Sequence, residues 1–348
     1  MIFRRFLLAA IVVLVSMGGG LLYLKSLWHQ TLSLPDVSSV LTIRSGESLH
    51  QVLSRAEAQG WLRDAGWIGR FARWQGLDEK IQAGEFLVRA DMTVEQLIQH
   101  LISGQVVQYK VTIPEGVTIH AAIELLRQHP KLIATPADTL SAQLSAWVSP
   151  SSSPEGWFLP ETWSFSAGDT DADILRRAHN VMEQLLLTLW ESREPTLPLA
   201  SPYEALILAS IVERETAEPA ERAQIAGVFL RRLAKGMRLQ TDPTVIYGLG
   251  GGYDGNLRRT HLRDTQNAYN TYVIKGLPPT PIALPGKAAV NAVFKPDNSD
   301  SLYFVAKGDG THAFSASLEE HEENVRRYQL ARREDYRSTP DRSSSVRQ

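Results

Sequence analysis

The feature that most constrains this chain lies at its start. Arg4 and Arg5 precede an uncharged, mainly apolar run from Phe6 to Leu24, which ends at Lys25. As a helix, a run of about 19 residues spans roughly 28 Å, close to the hydrocarbon thickness of a bilayer. A cleavable signal has a shorter apolar core and a small-residue exit. Here Gly18, Gly19 and Gly20 are followed by Leu21, Leu22, Tyr23 and Leu24, so the run continues past the small residues. The pattern predicts an uncleaved anchor over residues 1–25. By the positive-inside rule Arg4 and Arg5 stay cytoplasmic, and the rest of the chain is exported.

Beyond the anchor, 348 residues with 43% hydrophobic content leave room for two or three globular cores. The 36 basic and 38 acidic residues nearly cancel, for a formal net charge of −2, so no long-range attraction to nucleic acid is expected. There is no cysteine, which excludes disulfides, thiolate nucleophiles and Cys-ligated zinc and suits an oxidising compartment. His321-Glu322 is followed by Val325 where a zinc-protease helix would place its second histidine. The other histidines show no metal-ligand spacing, and neither a Gly-x-Ser-x-Gly elbow nor a phosphate-cradling loop occurs. No metal and no cofactor are expected.

Residues 26–40 read as a membrane-proximal linker. Residues 41–113 read as a compact αβ unit. A strand is expected at Leu41–Arg44, and Ser48 caps a helix carrying Leu49, Val52 and Leu53. A second helix follows with Trp67, Ile68, Phe71 and Trp74, then a strand over Ala83–Val88. Thr93 and Gln96 form a capping box ahead of a third helix, which Gly104 stops, and residues 107–113 alternate as a half-buried strand. Residues 114–333 form a larger mixed region, in which Glu155–Trp163 concentrates aromatics. Such clusters are usually core, although a sugar-binding wall uses the same faces. Residues 334–348 are polar and charged, and disorder is expected there.

The clearest helix start is Ser201-Pro202-Tyr203-Glu204, with a capping serine, a proline in the first turn and a box-completing glutamate. The helix runs on through an almost wholly apolar middle to Glu213, Arg214, Glu215 and Thr216, so it is expected to be buried on most sides. Residues two apart on a helix point roughly 200° apart, so Glu213 and Glu215 cannot share one pocket. A carboxyl in an apolar setting keeps its proton toward neutral pH, as a general acid at a glycosidic bond requires. Spacing alone equally allows a salt-bridged helix end, such as Glu213 with a nearby arginine. Gln240, Thr241 and Asp242 place three polar side chains in a turn before Pro243. They suit sugar hydroxyls and acetamido groups, or a local Asx turn. A β-hairpin is expected from Leu302 to Phe314 around Gly308-Asp309-Gly310, and His312 alone reads as structural.

Four stretches together, Ala209–Thr216, Arg238–Gly248, Tyr269–Tyr272 and Gly276–Pro279, resemble the endolytic murein transglycosylase family, also called MltG or YceG-like. The resemblance runs from the anchor to about residue 330. It departs at Thr280, where the family pattern has glycine after the two prolines. It implies an α+β fold with a single N-terminal transmembrane helix, a LysM-like subdomain at 41–113, and a catalytic domain at 114–333 built around a buried glutamate-bearing helix. It puts the catalytic carboxyl on Glu215. It further implies an inner-membrane protein whose periplasmic part cuts peptidoglycan glycan strands and leaves a 1,6-anhydro end, terminating nascent strands beside peptidoglycan synthases as partners. Gln240, Thr241, Asp242 and Asn270 are the residues expected to orient the substrate. A peptidoglycan-binding scaffold without catalysis and a hydrolytic muramidase are the competing classes.

Overall fold

The computed structural model describes residues 2–151 and 153–330, so the tail expected at 334–348 lies outside the described residues. The fold is mixed α+β and divides into two compact units, Met1–Tyr109 with Ser164–Gly168, and Lys110–Trp163 with the chain from Asp169 onward.

The first unit begins with α1 (Ile2–Trp28), one helix long and apolar enough to cross a membrane by length and composition, a test that a signal sequence also passes. The helix does not end with the apolar run. Its last turn inserts Leu27 and Trp28 into the core of the unit, joined by Leu32 from the segment beyond. Trp28 meets Phe71 edge-on at 4.9 Å between ring centroids, and the Tyr23 hydroxyl donates to Asp64 at 2.6 Å. The rest of this core comes from β1 (Ser38–Ile43), α2 (Leu49–Ala58), α3 (Ala65–Trp74), β2 (Gly84–Arg89) and α4 (Val94–Ser103), with Trp61 and Leu62 from the turn between α2 and α3. β1 and β2 pair antiparallel, Ser38 opposite Arg89 and Ile43 opposite Gly84, with α2 and α3 in the connection. α2 and α4 open with complete capping boxes, Ser48 with Gln51 and Thr93 with Gln96. Gly104 ends α4 at φ 69°, a left-handed position that favours glycine. β3 (Gln108–Thr112) pairs with β4 (Thr162–Ser166), and the boundary between the units runs through both strands.

The second unit holds α5 (Ile119–Arg127), α6 (Ala137–Trp147), α7 (Asp171–Glu191), α8 (Pro202–Glu215), α9 (Arg222–Ala234), α10 (Asp242–Leu249), α11 (Arg259–Leu262), α12 (Lys287–Phe294) and α13 (Leu318–Val325). Its hairpin, β5 (Tyr303–Ala306) with β6 (His312–Ser315), pairs antiparallel with Phe304 opposite Phe314. α8 is the central helix. Ala205 to Glu213 are all buried, and α7, α9, α10 and α12 pack around it. The apolar character of nearly every side in the sequence reflects this position: an encircled helix has no solvent face to make polar.

Candidate functional site

The two carboxylates at the end of α8 have separate surroundings, as their angular spacing requires. Ser201 Oγ accepts from the Glu204 N–H at 3.2 Å and Pro202 occupies the first turn, which sets the register of the helix. Glu213, 3% exposed, pairs with Arg222 at 3.4 Å and accepts from the Gly286 N–H at 3.1 Å. Arg222 also reaches Glu115 at 3.3 Å. A Cβ at Gly286 would fall 1.8 Å from the Glu115 carboxylate as it stands, so a larger residue there would require that side chain to move. Glu213 therefore ties α8 to α9 and α12, the salt-bridged helix end that spacing allowed.

Glu215 lies partly buried on the other side, where the helix gives way to the extended Thr216. Thr241 Oγ1 donates to Glu215 Oε2 at 2.7 Å. The loop that delivers Thr241 is held from several directions. Arg232 donates to the carbonyls of Arg238 and Leu239, at 3.3 and 2.8 Å. The Gln240 N–H donates to the Thr271 carbonyl at 3.1 Å, and the Thr241 N–H to Thr271 Oγ1 at 3.1 Å. Between these anchors Gln240 takes φ +53°, a left-handed position that costs a non-glycine residue about 1–2 kcal/mol. The turn leaves the Gln240 side chain in solvent and the Thr241 side chain inside. Thr241 occupies the N-cap of α10, yet its hydroxyl makes no cap bond and serves Glu215 instead.

Burial pushes the Glu215 carboxyl up to about 6, with a further push from the Asp242 charge; Thr241, His312 and Arg232 oppose it. Asp242 is exposed and accepts from the Tyr272 hydroxyl at 2.7 Å. That phenol is raised by its own burial and by Asp242. Asn270 is fully buried: its amide donates to the carbonyls of His261 (3.1 Å) and Asp264 (2.8 Å), and its oxygen accepts from the Tyr272 N–H at 3.1 Å. Thus Thr241 and Asp242 stand beside Glu215, Gln240 flanks them in solvent, and Asn270 holds the backbone of Tyr272 from within.

Sequence reasoning gave Tyr272, Arg232, Glu221 and His312 no part in the site. Arg232 had a legible signal, a charge in the apolar stripe of Ile225, Val228 and Phe229 on α9, and it is 7% exposed. His312 and Glu221 had none, because they meet from positions 91 residues apart. Thr280, the departure from the family pattern, uses its hydroxyl on Tyr269 at 2.8 Å and on the Pro281 carbonyl at 2.9 Å.

A cavity of about 460 Å³, lined by Trp147, Trp157, Leu186, Leu187 and Tyr203, lies at the opposite end of α8. Twelve residues of helix set it roughly 18 Å along the axis from Glu215, so it is separate from the carboxyl site. The aromatic segment 155–163 serves the core through Phe158 and Leu159, and lines this cavity through Trp157.

Glu155, from the same segment, is 3% exposed and accepts from the Ile119 N–H at 2.9 Å and the Tyr247 hydroxyl at 3.2 Å. Burial pushes it up from 4.5 to about 7. Between those values the folded protein keeps a proton that the unfolded chain has released, so this group's contribution to stability falls as pH rises through the window, by as much as ~3 kcal/mol. Glu155→Gln keeps the shape and lacks the charge. Its melting temperature is expected to exceed the wild type's at about pH 8, with the difference closing by about pH 5. Equal differences at both pH values would show that ionisation of Glu155 does not load the fold.

Residues 41–327 match the YceG-like family. The chain is 31% identical over 337 residues to the endolytic murein transglycosylase of Bacillus subtilis (strain 168), covering 89% of this chain and 90% of that one. It is 26% identical over 316 residues to the endolytic murein transglycosylase of Streptococcus pneumoniae (strain ATCC BAA-255 / R6), covering 81% of this chain and 57% of that protein. The crystal structure of a yceG-like protein from Listeria monocytogenes matches with a TM-score of 0.52 at 28% identity, over 82% of this chain and 98% of that one. Motifs, fold and extent of match agree, and the chain belongs to the YceG-like family.

Proposed function

We propose that this chain is a membrane-anchored lytic transglycosylase that cuts peptidoglycan glycan strands internally, with Glu215 as its catalytic residue. The observation that carries the reading is a helix-end carboxyl held by burial at about 6 and bonded at one oxygen by Thr241. The relatives named endolytic murein transglycosylase supply the substrate class.

Because Thr241 donates to Oε2, Oε1 is the oxygen left to carry a proton. That proton passes to the oxygen joining N-acetylmuramic acid C1 to N-acetylglucosamine, and the C1–O bond breaks with its electron pair leaving on the sugar oxygen. The muramic 6-hydroxyl then bonds to C1 and returns its proton to Glu215, closing a 1,6-anhydro ring without water. Gln240 and Asp242 bind sugar hydroxyls, while Thr241 orients the carboxyl and Asn270 holds Tyr272 from behind. Residues 1–25 remain as an inner-membrane anchor, and its helix continues without a break into the core at Leu27 and Trp28. Residues 41–113 act as a LysM-like, glycan-holding unit in the periplasm, where the exposed indoles of Trp67 and Trp74 offer faces to sugar rings. Placement beside synthases at the membrane would let the enzyme terminate nascent strands.

Asp242 supports a second reading. Its charge bears on Glu215, so it is the available base for a hydrolytic muramidase. Digestion of purified glycan strands by the detergent-solubilised full-length chain separates the two. Internal cuts with anhydro ends, lighter by one water than reducing ends in a mass spectrum, are expected. Reducing ends would establish hydrolysis, and binding without release would establish a scaffold. Cleavage should also fall as pH rises through about 6, because the proton to be donated is then gone.

A further inference from the structure

Close to the carboxyl lies a second ionisable assembly that the reaction above does not use. Glu221, in the turn before α9, accepts the His312 N–H at 2.7 Å with one oxygen and meets His312 Nδ1 at 2.7 Å with the other. Thr216, next in the chain after Glu215, donates its hydroxyl to the same Glu221 oxygen at 3.4 Å. The side chains of His312 and Glu221 are 9% and 10% exposed. With Glu221 ionised, Nδ1 carries the hydrogen, which fixes the tautomer and the ring orientation. Phe304 closes one side edge-on at 5.4 Å. Nε2 has no hydrogen-bond partner among the described residues.

We propose that His312, held by Glu221, is a positioning residue for Glu215, an imidazolium that stabilises the carboxylate Glu215 becomes once its proton has left. The inference rests on Glu215 being the acid of the proposed reaction. Its geometric basis is the chain of contacts from Thr216 through Glu221 to His312, which brings a hydrogen-bonded imidazole to the end of α8 from the hairpin. The electrostatics agree: after the Thr241 bond, His312 is the largest influence drawing Glu215 down against burial. Of the other charges that act on Glu215, Asp242 opposes His312 and Arg232 on α9 acts in the same sense as it. On α13, His321 stacks on Tyr303 at 5.1 Å, and Glu320 accepts from the Ala316 N–H at 3.2 Å. Asp309, in the hairpin turn with Lys307, is bonded to Thr311. Glu221 thus holds the ring through Nδ1, and Thr216 links that carboxylate to the end of α8. Proton donation by Glu215 turns a neutral acid beside a cation into an ion pair, so the cation is worth more after the proton leaves than before.

The test is a pair of pH–rate profiles on purified glycan strands, recorded with the full-length chain in detergent. Wild type and Glu215→Gln come first: an active Glu215→Gln protein would remove the underlying reading, independently of His312. With that variant inactive, His312→Gln is expected to lower turnover more than tenfold, leave KM within a few-fold, and move the alkaline limb upward by roughly one pH unit. Loss of the cation lets Glu215 keep its proton to higher pH. Glu221→Gln removes the charge that faces the ring and leaves one acceptor oxygen where the carboxylate used two, so it should move the limb the same way by less. The double variant should move it no further than His312→Gln alone. If His312→Gln does not fold, the Glu221→Gln profile carries the same test. A limb unmoved in the folded variants would overturn the proposal and leave His312 a packing residue.

Discussion

Glu215→Gln is expected to lower glycan cleavage by at least a hundredfold while the melting temperature stays within a degree or two of wild type. The substitution keeps size and shape and the acceptor oxygen for Thr241, and it removes only the transferable proton. General acid–base groups contribute roughly 10²–10⁴ in rate. The loss should fall on turnover more than on strand binding, because the proton is needed only as the glycosidic bond breaks. Release of soluble fragments from purified strands, followed beside thermal unfolding, reads both quantities. Near-normal cleavage would move the chemistry to another residue.

Glu213→Ala is expected to do the reverse. Glu213 is buried, and its removal leaves the Gly286 N–H without this acceptor and Arg222 with only Glu115, which is 44% exposed. Breaking a buried ion pair from one side costs about 3–5 kcal/mol, and the remaining Glu115 contact favours the lower end. A fall in melting temperature of several degrees is therefore expected, with Glu213→Gln milder because it retains an acceptor. A stable Glu213→Ala protein that cannot cut glycan would mean that the two carboxylates exchange roles. Glu213 and Glu215 differ by two positions in sequence, so this pair of variants separates a proton donor from a structural strut on one helix.

Local chemistry was well represented in the sequence. The caps at Ser48 and Ser201, the capping box at Thr93, Pro202 in the first turn of α8 and the glycine stop after α4 are rules that operate within four or five residues, and each appears as written; the box expected at Ser201 does not close, because the Glu204 carboxylate accepts from the Ala200 N–H at 2.6 Å instead. The hairpin was legible for the same reason, since its strands are joined by a short turn. Residues 26–40 had only a local reading, as a linker after an anchor. Leu27, Trp28 and Leu32 are buried because α3 and its neighbours supply partners for them. Asn270 carried no mark that its amide is used up on the carbonyls of His261 and Asp264.

What the sequence determined by itself is the periodic and the adjacent: an apolar run long enough to cross a bilayer, an encircled helix ending in two carboxylates that must diverge, and a polar turn before Pro243. Each follows from helix geometry or from the backbone needs of neighbouring residues. Only the tertiary structure decided which partners each carboxylate has. Arg222 comes to Glu213 from the next helix, Thr241 reaches Glu215 across a strained turn, and the hairpin brings His312 to Glu221. The charge state of a carboxyl depends on burial and on charges within a few ångströms. Those neighbours are set by how helices and loops pack, and an unfolded chain does not contain them.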